Sequence, residues 1–195
     1  MSDTSTYSMA GDTEVNRNHT VFVYKTKAER HKFLAAYFAE GLATNQLCIF
    51  VSPGTTNQIM YDFQRYGLDI SEAVKRGAFR IYDMKETYLP HGEFAAEFMV
   101  QNVKQFIIDA RKAGYAGLYT AGEMSWMYDN PRFWHKAARY EAEIDELLKH
   151  HRTFTALCIY PTTTAPFIED IALKTHPRRV FMGGIKANED YVEVV

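Results

Sequence analysis

The sequence predicts an α/β fold, a three-layer sandwich with a mostly parallel central sheet. Short apolar runs, rich in β-branched and aromatic residues, alternate almost without interruption with amphipathic segments of helical period. That alternation is typical of a parallel sheet with helices on both faces. The chain has 195 residues, a length that suits one domain, and no internal repeat or low-complexity segment is evident. We therefore expect a single domain over residues 19–195.

Six apolar runs are predicted strands, because β-branched and aromatic residues dominate them and turn-forming residues bound them. In chain order they are Thr20–Tyr24, Leu47–Val51, Phe79–Tyr82, the run that opens Gly117–Tyr128, Phe154–Tyr160 and Arg179–Met182.

The segments between these runs carry helix start and stop signals. Thr26–Glu29 reads as a capping box, and Asn130-Pro131 places an N-cap residue before a proline at the first helical position. Gly41 is expected to be a C-cap, and Lys85–Glu93 is predicted to be a loop. The predicted helices are Lys27–Glu40, residues 55–66, Ser71–Arg76, Phe94–Ala113, residues 130–148 and Pro166–Leu173.

Composition argues against several classes of protein. The chain is 47% hydrophobic and 24% charged, with a net charge of −2, so no basic nucleic-acid surface is expected. No apolar run approaches the roughly 18 residues of a membrane-spanning helix. Residues Met1–Asn18 lack the apolar core of a secretory signal, and we interpret them as a disordered leader. Cys48 and Cys158 lie inside apolar runs, as expected of buried thiols in a reducing, cytoplasmic setting.

The candidate site lies where the predicted strands end. In open α/β sheets, ligands bind outside the carboxyl ends of the strands. The fourth strand ends in Glu123, Ser125 and Trp126, which offer a carboxylate, a hydroxyl and an indole. Other strands end in polar residues that should cluster with Glu123 if the sheet is parallel. The predicted ligand-binding residues are Glu123, Ser125, Trp126, Tyr24, Ser52, Asp83 and Tyr160.

Each of these residues also has a structural interpretation. Glu123 could cap the next turn or pair with a lysine, and Trp126 could simply cover the end of the sheet. No glycine-rich phosphate loop follows the first strand, since the connection Tyr24–Lys27 contains no glycine. His150-His151 is interpreted as a solvated helix end, because no further ligand spacing completes a metal site. No catalytic residue, metal or cofactor is predicted.

Several short motifs carry a family resemblance. They are His19–Thr26, Glu40–Leu42, Gly117–Trp126, Tyr140–Ile144, Thr155–Tyr160 and Lys174–Pro177. With these motifs the chain resembles the MEDS domain, a sensory domain of methanogens and methylotrophs named for a dichloromethane-responsive repressor. Residues Asn188–Tyr191 depart from the family's closing motif at Glu189 and Asp190.

The resemblance implies a RecA/KaiC-like sandwich with a degenerate phosphate loop, used to receive a signal. It implies a histidine kinase or a transcription regulator as partner, and self-association in the manner of KaiC-like rings. For Glu141, inside the Tyr140–Ile144 motif, we expect a structural salt bridge, and His176 is placed inside another motif of the family.

Three functions follow as hypotheses. The first is a stand-alone sensory domain, without catalysis, that binds a small molecule or a protein partner at the carboxyl edge of its sheet. The second is an atypical ATP-binding or ATP-hydrolysing protein with Glu123 as its acid. The third is a pure protein-interaction module. Neither direct nucleic-acid binding nor membrane association is expected.

Overall fold

A computed structural model describes residues 18–162, 166–181 and 184–192. The leader interpretation therefore falls almost entirely outside the described residues, as does the predicted strand end at Met182. The strands are β1 (His19–Tyr24), β2 (Gln46–Ser52), β3 (Phe79–Asp83), β4 (Gly117–Glu123), β5 (Phe154–Pro161), β6 (Arg178–Phe181) and β7 (Gly184–Ala187). The α-helices are α1 (Lys27–Ala43), α2 (Thr56–Gln64), α3 (Ser71–Lys75), α4 (Met84–Tyr88), α5 (Ala96–Lys112), α6 (Trp134–His150) and α7 (Pro166–Lys174).

The strands form one sheet in the order β3-β2-β4-β5-β1-β6-β7. Neighbouring strands pair in parallel from β3 to β6, and among the described strands only β6 and β7 pair antiparallel. The prediction of a mostly parallel sheet is confirmed. Because the strands are parallel, β1 to β5 end at the same edge, where Ser52 pairs with Asp83 and Glu123 with Ile159.

Helices cover both faces of the sheet, so the three-layer prediction is confirmed. Phe33, Phe38 and Phe63 of α1 and α2 pack with Phe50 of β2 and Phe79 of β3 on one face. Helices α4 to α7 supply the core of the other face, which contains Met84, Val103, Ile144 and Ile168. Among the described helices, none is both long enough and apolar enough to cross a membrane.

Helix α1 extends past the predicted C-cap, because Gly41 serves packing rather than termination. The helix continues to Ala43, and the hydroxyl of its C-cap residue, Thr44, donates to the carbonyl of Glu40 at 2.8 Å. A Cβ atom at Gly41 would lie 2.9 Å from Tyr119 Cδ1 and 3.0 Å from Cys48 Sγ. The missing side chain therefore lets α1 approach β2 and β4 closely.

The predicted loop Lys85–Glu93 is wrong in its first half. Asp83 accepts hydrogen bonds from the backbone N–H groups of Lys85 and Glu86, which starts the short helix α4. Asn130 also differs from expectation, because its side-chain amide donates to the carbonyl of Trp126 and does not cap the helix. A single turn of 3-10 helix separates it from α6.

Candidate functional site

A buried ion pair lies at the carboxyl edge of β4, on the sheet face that α1 covers. Arg30 Nε lies 3.1 Å from Glu123 Oε2, and Glu123 is only 1% exposed. The hydroxyl of Tyr24, at the end of β1, donates to the same carboxylate at 3.3 Å. Glu123 is therefore paired with an arginine, and the sequence-based alternative of a lysine partner is not what the structure contains.

Ser52 extends this cluster to β2. Arg30 Nη2 donates to Ser52 Oγ at 3.3 Å, and both residues are buried. Ser52 Oγ also accepts from the backbone N–H of Gly54 at 3.4 Å. One guanidinium group thus joins the ends of β2 and β4, and Tyr24 adds the end of β1.

Sequence reasoning missed Arg30, although a signal was present. Positions 30, 33, 34 and 37 form one helical stripe, and the other three are the buried apolar residues Phe33, Leu34 and Tyr37. A charged residue on an apolar stripe is rarely buried without a partner. Arg30 therefore predicts a buried anion on the sheet beneath α1.

The electrostatics of Glu123 reflect two opposing effects. Burial raises the pKa of the Glu123 carboxyl group, and Arg30, Tyr24 and Ser125 offset only part of that rise. Burial and the neighbouring Glu123 charge also raise the pKa of Tyr24 well above its ordinary value, so this phenol stays a donor. The cluster therefore combines a carboxyl group that protonates more readily than usual with a permanent cation.

An open groove of about 570 Å³ borders this cluster, between α1 and α2. Its basic side chains are Lys27, Arg30, His31 and Arg65, with Asp62 as the one carboxylate among the described lining residues. Burial and the nearby Arg30 charge lower the pKa of His31. The other lining residues are mainly apolar or small, and include Phe50, Ser52, Gly54, Ile59, Phe63 and Tyr66.

Of the seven predicted site residues, Ser52 lines this groove, and Tyr24, Glu123 and Ser125 lie behind it around Arg30, whereas Trp126, Asp83 and Tyr160 lie apart from this cluster. Trp126 is 2% exposed and packs against Phe94 and Tyr88, with ring centroids 4.7 and 5.5 Å away. It belongs to the core on the other sheet face and does not line this groove. Asp83 is exposed, and its carboxylate caps α4. Its role in ligand binding stays a prediction.

Tyr160 is the clearest correction, because its side chain lies on the face opposite Glu123. It is fully buried, and its hydroxyl donates to Glu141 Oε1 at 2.7 Å. Side chains alternate between the two faces along a strand, so a residue at the correct edge can still point away from the site. Ser125, by contrast, stays near Glu123 and helps to lower the pKa of its carboxyl group.

Tyr160 belongs to a second polar cluster, enclosed in the core beneath α6 and α7. Its other members are His19, Glu141, Cys158 and His176, which are between 0% and 7% exposed. His19 Nε2 and His176 Nε2 lie 3.4 and 3.6 Å from Glu141 Oε2. Cys158 Sγ donates to the same oxygen at 3.4 Å. These four residues could hold a metal ion, since their ligand atoms all lie within 4.8 Å of one another.

The sequence pointed to parts of this second cluster only. Glu141 was expected to form a structural salt bridge, and it does contact His19, but Cys158 was interpreted as an ordinary core thiol. The four residues are spread over the chain, and the sheet order that places β5 beside β1 brings them together.

Comparison with known proteins defines the family. A search of curated proteins gave no match. The model of the family described as MEDS, methanogen/methylotroph, DcmR sensory domain, matches residues 18–177. The match covers β1 to α7, so it includes the Glu123 cluster and the enclosed cluster beneath α6. The chain therefore belongs to the MEDS family of sensory domains.

Proposed function

We propose that the chain is a non-catalytic sensory domain that binds a small anionic molecule in the groove between α1 and α2. The observation that carries this proposal is the buried Arg30 guanidinium, which contacts Glu123 and Ser52 and also lines the groove. Membership of a sensory family supports the sensory role.

The composition of the groove favours an anion with an apolar body. Lys27, Arg30 and Arg65 outnumber the single carboxylate of Asp62 among the described lining residues. Guanidinium groups bind carboxylates and phosphates through paired hydrogen bonds. Phe50, Ile59, Phe63 and Tyr66 supply apolar contact area alongside these charges. A small carboxylic acid or a phosphate ester fits this combination.

Glu123 would transmit the binding event to β4. An anion that attracts Arg30 weakens the pair with Glu123, the last residue of its strand. The next turn, Ser125–Met127, places Trp126 in the core of the opposite face. A change at Arg30 can therefore reach both faces of the sheet through its pair with Glu123 and the turn that carries Trp126.

A thermal-shift titration tests this proposal directly. The probes are acetate, a longer monocarboxylate, a dicarboxylate, inorganic phosphate, Mg-ATP and Mg-ADP, with an alcohol of matched length as the uncharged control. We expect a saturable rise in the melting temperature for at least one anion, because a ligand that binds only the folded state stabilises it by mass action. No response to any of these anions would contradict an anionic ligand.

A double variant locates the binding site. Arg30→Met with Glu123→Gln removes both charges together, so it leaves no buried charge unpaired. It should abolish the response, whereas Arg111→Gln, an exposed arginine on α5, should preserve it. A response that persists in the double variant would place binding elsewhere.

The same titration separates the two alternative functions. A saturable response confined to the nucleotides would favour the atypical ATP-binding hypothesis, although the connection after β1 contains no glycine.

A sensory domain must also pass its signal to an effector. We propose a histidine kinase, a transcription regulator or a second copy of the chain, and sedimentation with and without the active anion tests self-association.

A further inference from the structure

Four side chains of metal-ligating type converge in the enclosed cluster, each from a different part of the fold. His19 opens β1, Cys158 lies in β5, Glu141 lies in α6, and His176 follows α7. Three of them are 0% exposed and Cys158 is 7% exposed. Buried polar side chains at such density require either complete hydrogen bonding or a bound cation.

Four of the six separations between the ligand atoms are close to those of a tetrahedral coordination shell, and all six are within 4.8 Å. Zinc bonds of about 2.0–2.1 Å to nitrogen or oxygen and about 2.3 Å to sulfur separate ligand atoms by roughly 3.3–3.6 Å. Glu141 Oε2 lies 3.4 Å from His19 Nε2, 3.6 Å from His176 Nε2 and 3.4 Å from Cys158 Sγ. Cys158 Sγ lies 3.7 Å from His19 Nε2. These separations leave room for one small ion between the four atoms.

His176 is oriented as a ligand that lacks its ion. Its Nδ1 lies 2.7 Å from the carbonyl oxygen of Ala172, which can only accept, so Nδ1 carries the hydrogen. The lone pair of Nε2 is therefore free on the side of Glu141, and this buried nitrogen has no hydrogen-bond partner among the residues that the structure describes. A ligating histidine typically donates its other ring N–H to a backbone carbonyl or a carboxylate in this way.

Outer contacts hold the other groups in position. Tyr160 donates to Glu141 Oε1 at 2.7 Å, which turns Oε2 toward the centre of the cluster. Asp145 Oδ1 lies 3.7 Å from His19 Nδ1, and Tyr191 donates to Asp145 Oδ2 at 2.7 Å. A carboxylate behind a histidine is a common outer partner in zinc sites.

The charges also balance around a divalent ion. A thiolate and a carboxylate carry two negative charges between them, so a divalent cation with two neutral imidazoles gives a neutral buried site.

We propose that His19, Glu141, Cys158 and His176 form a closed, four-coordinate site for a divalent transition metal, with Zn²⁺ as the best-fitting ion. Binding forms one bond to each ligand and releases the thiol proton of Cys158, and also the second ring proton of His19 where it is present. Closed four-ligand sites are structural. The ion would tie β1 and β5 to α6 and to the end of α7.

A surface groove lies beside the enclosed cluster. The groove, of about 270 Å³, is lined by Asp145 and Thr175, the neighbours of His19 and His176 in the cluster. Because the ligand atoms themselves are buried, complete loading is best achieved by refolding the full chain with the ion present.

Refolding with and without zinc is the first test. The full-length protein is unfolded with a chelator and a reductant, freed of metal, and refolded with Zn²⁺ or without it. We expect one Zn²⁺ per chain, and a rise in melting temperature of roughly 5–10 °C when free Zn²⁺ is a hundred times the dissociation constant. Absence of both stoichiometric zinc and a saturable rise would overturn the proposal.

Matched variants assign the ligands. Cys158→Ser and His176→Gln should lose stoichiometric zinc and most of the rise, because each removes one inner ligand. Cys48→Ser, at the other buried cysteine, and His150→Gln, at an exposed histidine, should keep both. Equal zinc binding by Cys158→Ser and Cys48→Ser would contradict the assignment.

Cobalt provides a test in the wild-type protein that does not depend on how the variants fold. Co²⁺ in a tetrahedral site with one thiolate gives intense visible absorption and a sulfur-to-metal charge-transfer band in the near ultraviolet. We expect both bands at one Co²⁺ per chain, their loss on adding Zn²⁺, and net release of at least one proton per ion. A weak octahedral spectrum without the charge-transfer band would overturn the site.

Discussion

The two sides of the sheet each contain a buried glutamate, and the two carboxyl groups behave in opposite ways. Glu123 is near an open groove, with one arginine and one half-buried tyrosine as partners. Glu141 is enclosed, and its partners are two imidazoles, a thiol and a buried phenol. Burial raises the pKa of Glu123. Burial also tends to raise the pKa of Glu141, but the partners of this carboxylate outweigh the effect of burial and hold its pKa at about 2.

The difference shows that the surroundings of a carboxylate decide how burial acts on its pKa. Charges and hydrogen bonds from His176, His19 and Tyr160 outweigh burial at Glu141, whereas those from Arg30, Tyr24 and Ser125 do not outweigh it at Glu123. The enclosed cluster therefore suits a permanent charge balance, as a structural ion requires. The groove cluster suits a change of state, as a sensor requires.

The largest effect expected is from breaking the enclosed cluster in metal-free protein. Glu141→Ala removes one of the two carboxylates, with Asp145, that face His19 in the core, and we expect the unfolding free energy to fall by about 3–5 kcal/mol. Urea denaturation measures this loss. Glu143→Ala, on the same helix, removes only a partly exposed pair with Arg139 and should cost less than about 1 kcal/mol. Equal losses would remove the distinction between the two glutamates.

A pH series sharpens the same comparison, because the two glutamates should give slopes of opposite sign. The Glu141 pKa is lowered from 4.5 to about 2, so its stabilisation is present above pH 4.5 and is lost as the pH falls toward 2. The Glu123 pKa is raised above 4.5, so its neutral form is favoured by folding and stability is lost as the pH rises through the folded pKa.

The corresponding measurement compares Glu141→Gln and Glu123→Gln with wild type by urea denaturation in the presence of a chelator. The difference in unfolding free energy between wild type and each variant should change by at most about 1.4 kcal/mol per pH unit. The advantage of wild type over Glu141→Gln should shrink toward acid, and that over Glu123→Gln should shrink toward neutral pH. Slopes of the same sign would show that folding shifts the pKa of both carboxyl groups in the same direction.

Removing the cation of the groove cluster should cost less than removing Glu141. Arg30→Gln leaves Glu123 without its charged partner, but this carboxyl group has a raised pKa and can be neutralised by protonation. We expect a loss of about 1–3 kcal/mol at neutral pH, in the range for an unsatisfied buried group. The loss should be smaller in a Glu123→Gln background, and strictly additive effects would argue that the two side chains do not interact.

The smallest contrast concerns the two phenols. Tyr160→Phe removes a fully buried hydrogen bond of 2.7 Å to Glu141, and we expect a loss of about 1.5–3 kcal/mol. Tyr24→Phe removes a longer contact of 3.3 Å to Glu123 at a half-buried position, and should cost about 0.5–1 kcal/mol. Thermal and urea denaturation measure both losses. The reverse order would mean that the groove cluster is the more tightly bonded one.

The fold could be predicted from hydrophobic periodicity and from the residues that begin and end helices and strands. The runs around β1, β2 and β5 are apolar enough to be recognised without tertiary information, and Thr26 does accept from the backbone N–H of Glu29, as its capping box predicts. Strand β7 was missed because its four residues include a glycine and a lysine and have little apolar character. The carboxyl-edge rule also led to Glu123, Tyr24 and Ser52, which the structure brings together around Arg30, and their role in ligand binding stays a prediction.

The same reasoning could not choose the face of the sheet. Tyr160 lies near the end of its strand as Tyr24 does, yet its side chain points to α6. Side chains alternate between the two faces along a strand, so the end at which a residue lies does not determine its face. Trp126 resembles a pocket wall in sequence, but the turn after β4 carries it into the core. Asp83 resembles a strand-end ligand in sequence, but in the structure its carboxylate caps the N-terminus of α4.

The sequence by itself determined the layered α/β class, the parallel sheet and the edge at which Glu123 lies, because these depend on local periodicity and strand direction. Only the tertiary structure decided which charges meet. Arg30 reaches Glu123 across 93 positions because α1 packs over the end of β4. His19, Glu141, Cys158 and His176 meet because β5 lies beside β1 and α6 covers them both. Such contacts join residues far apart in the chain, and no local pattern encodes them.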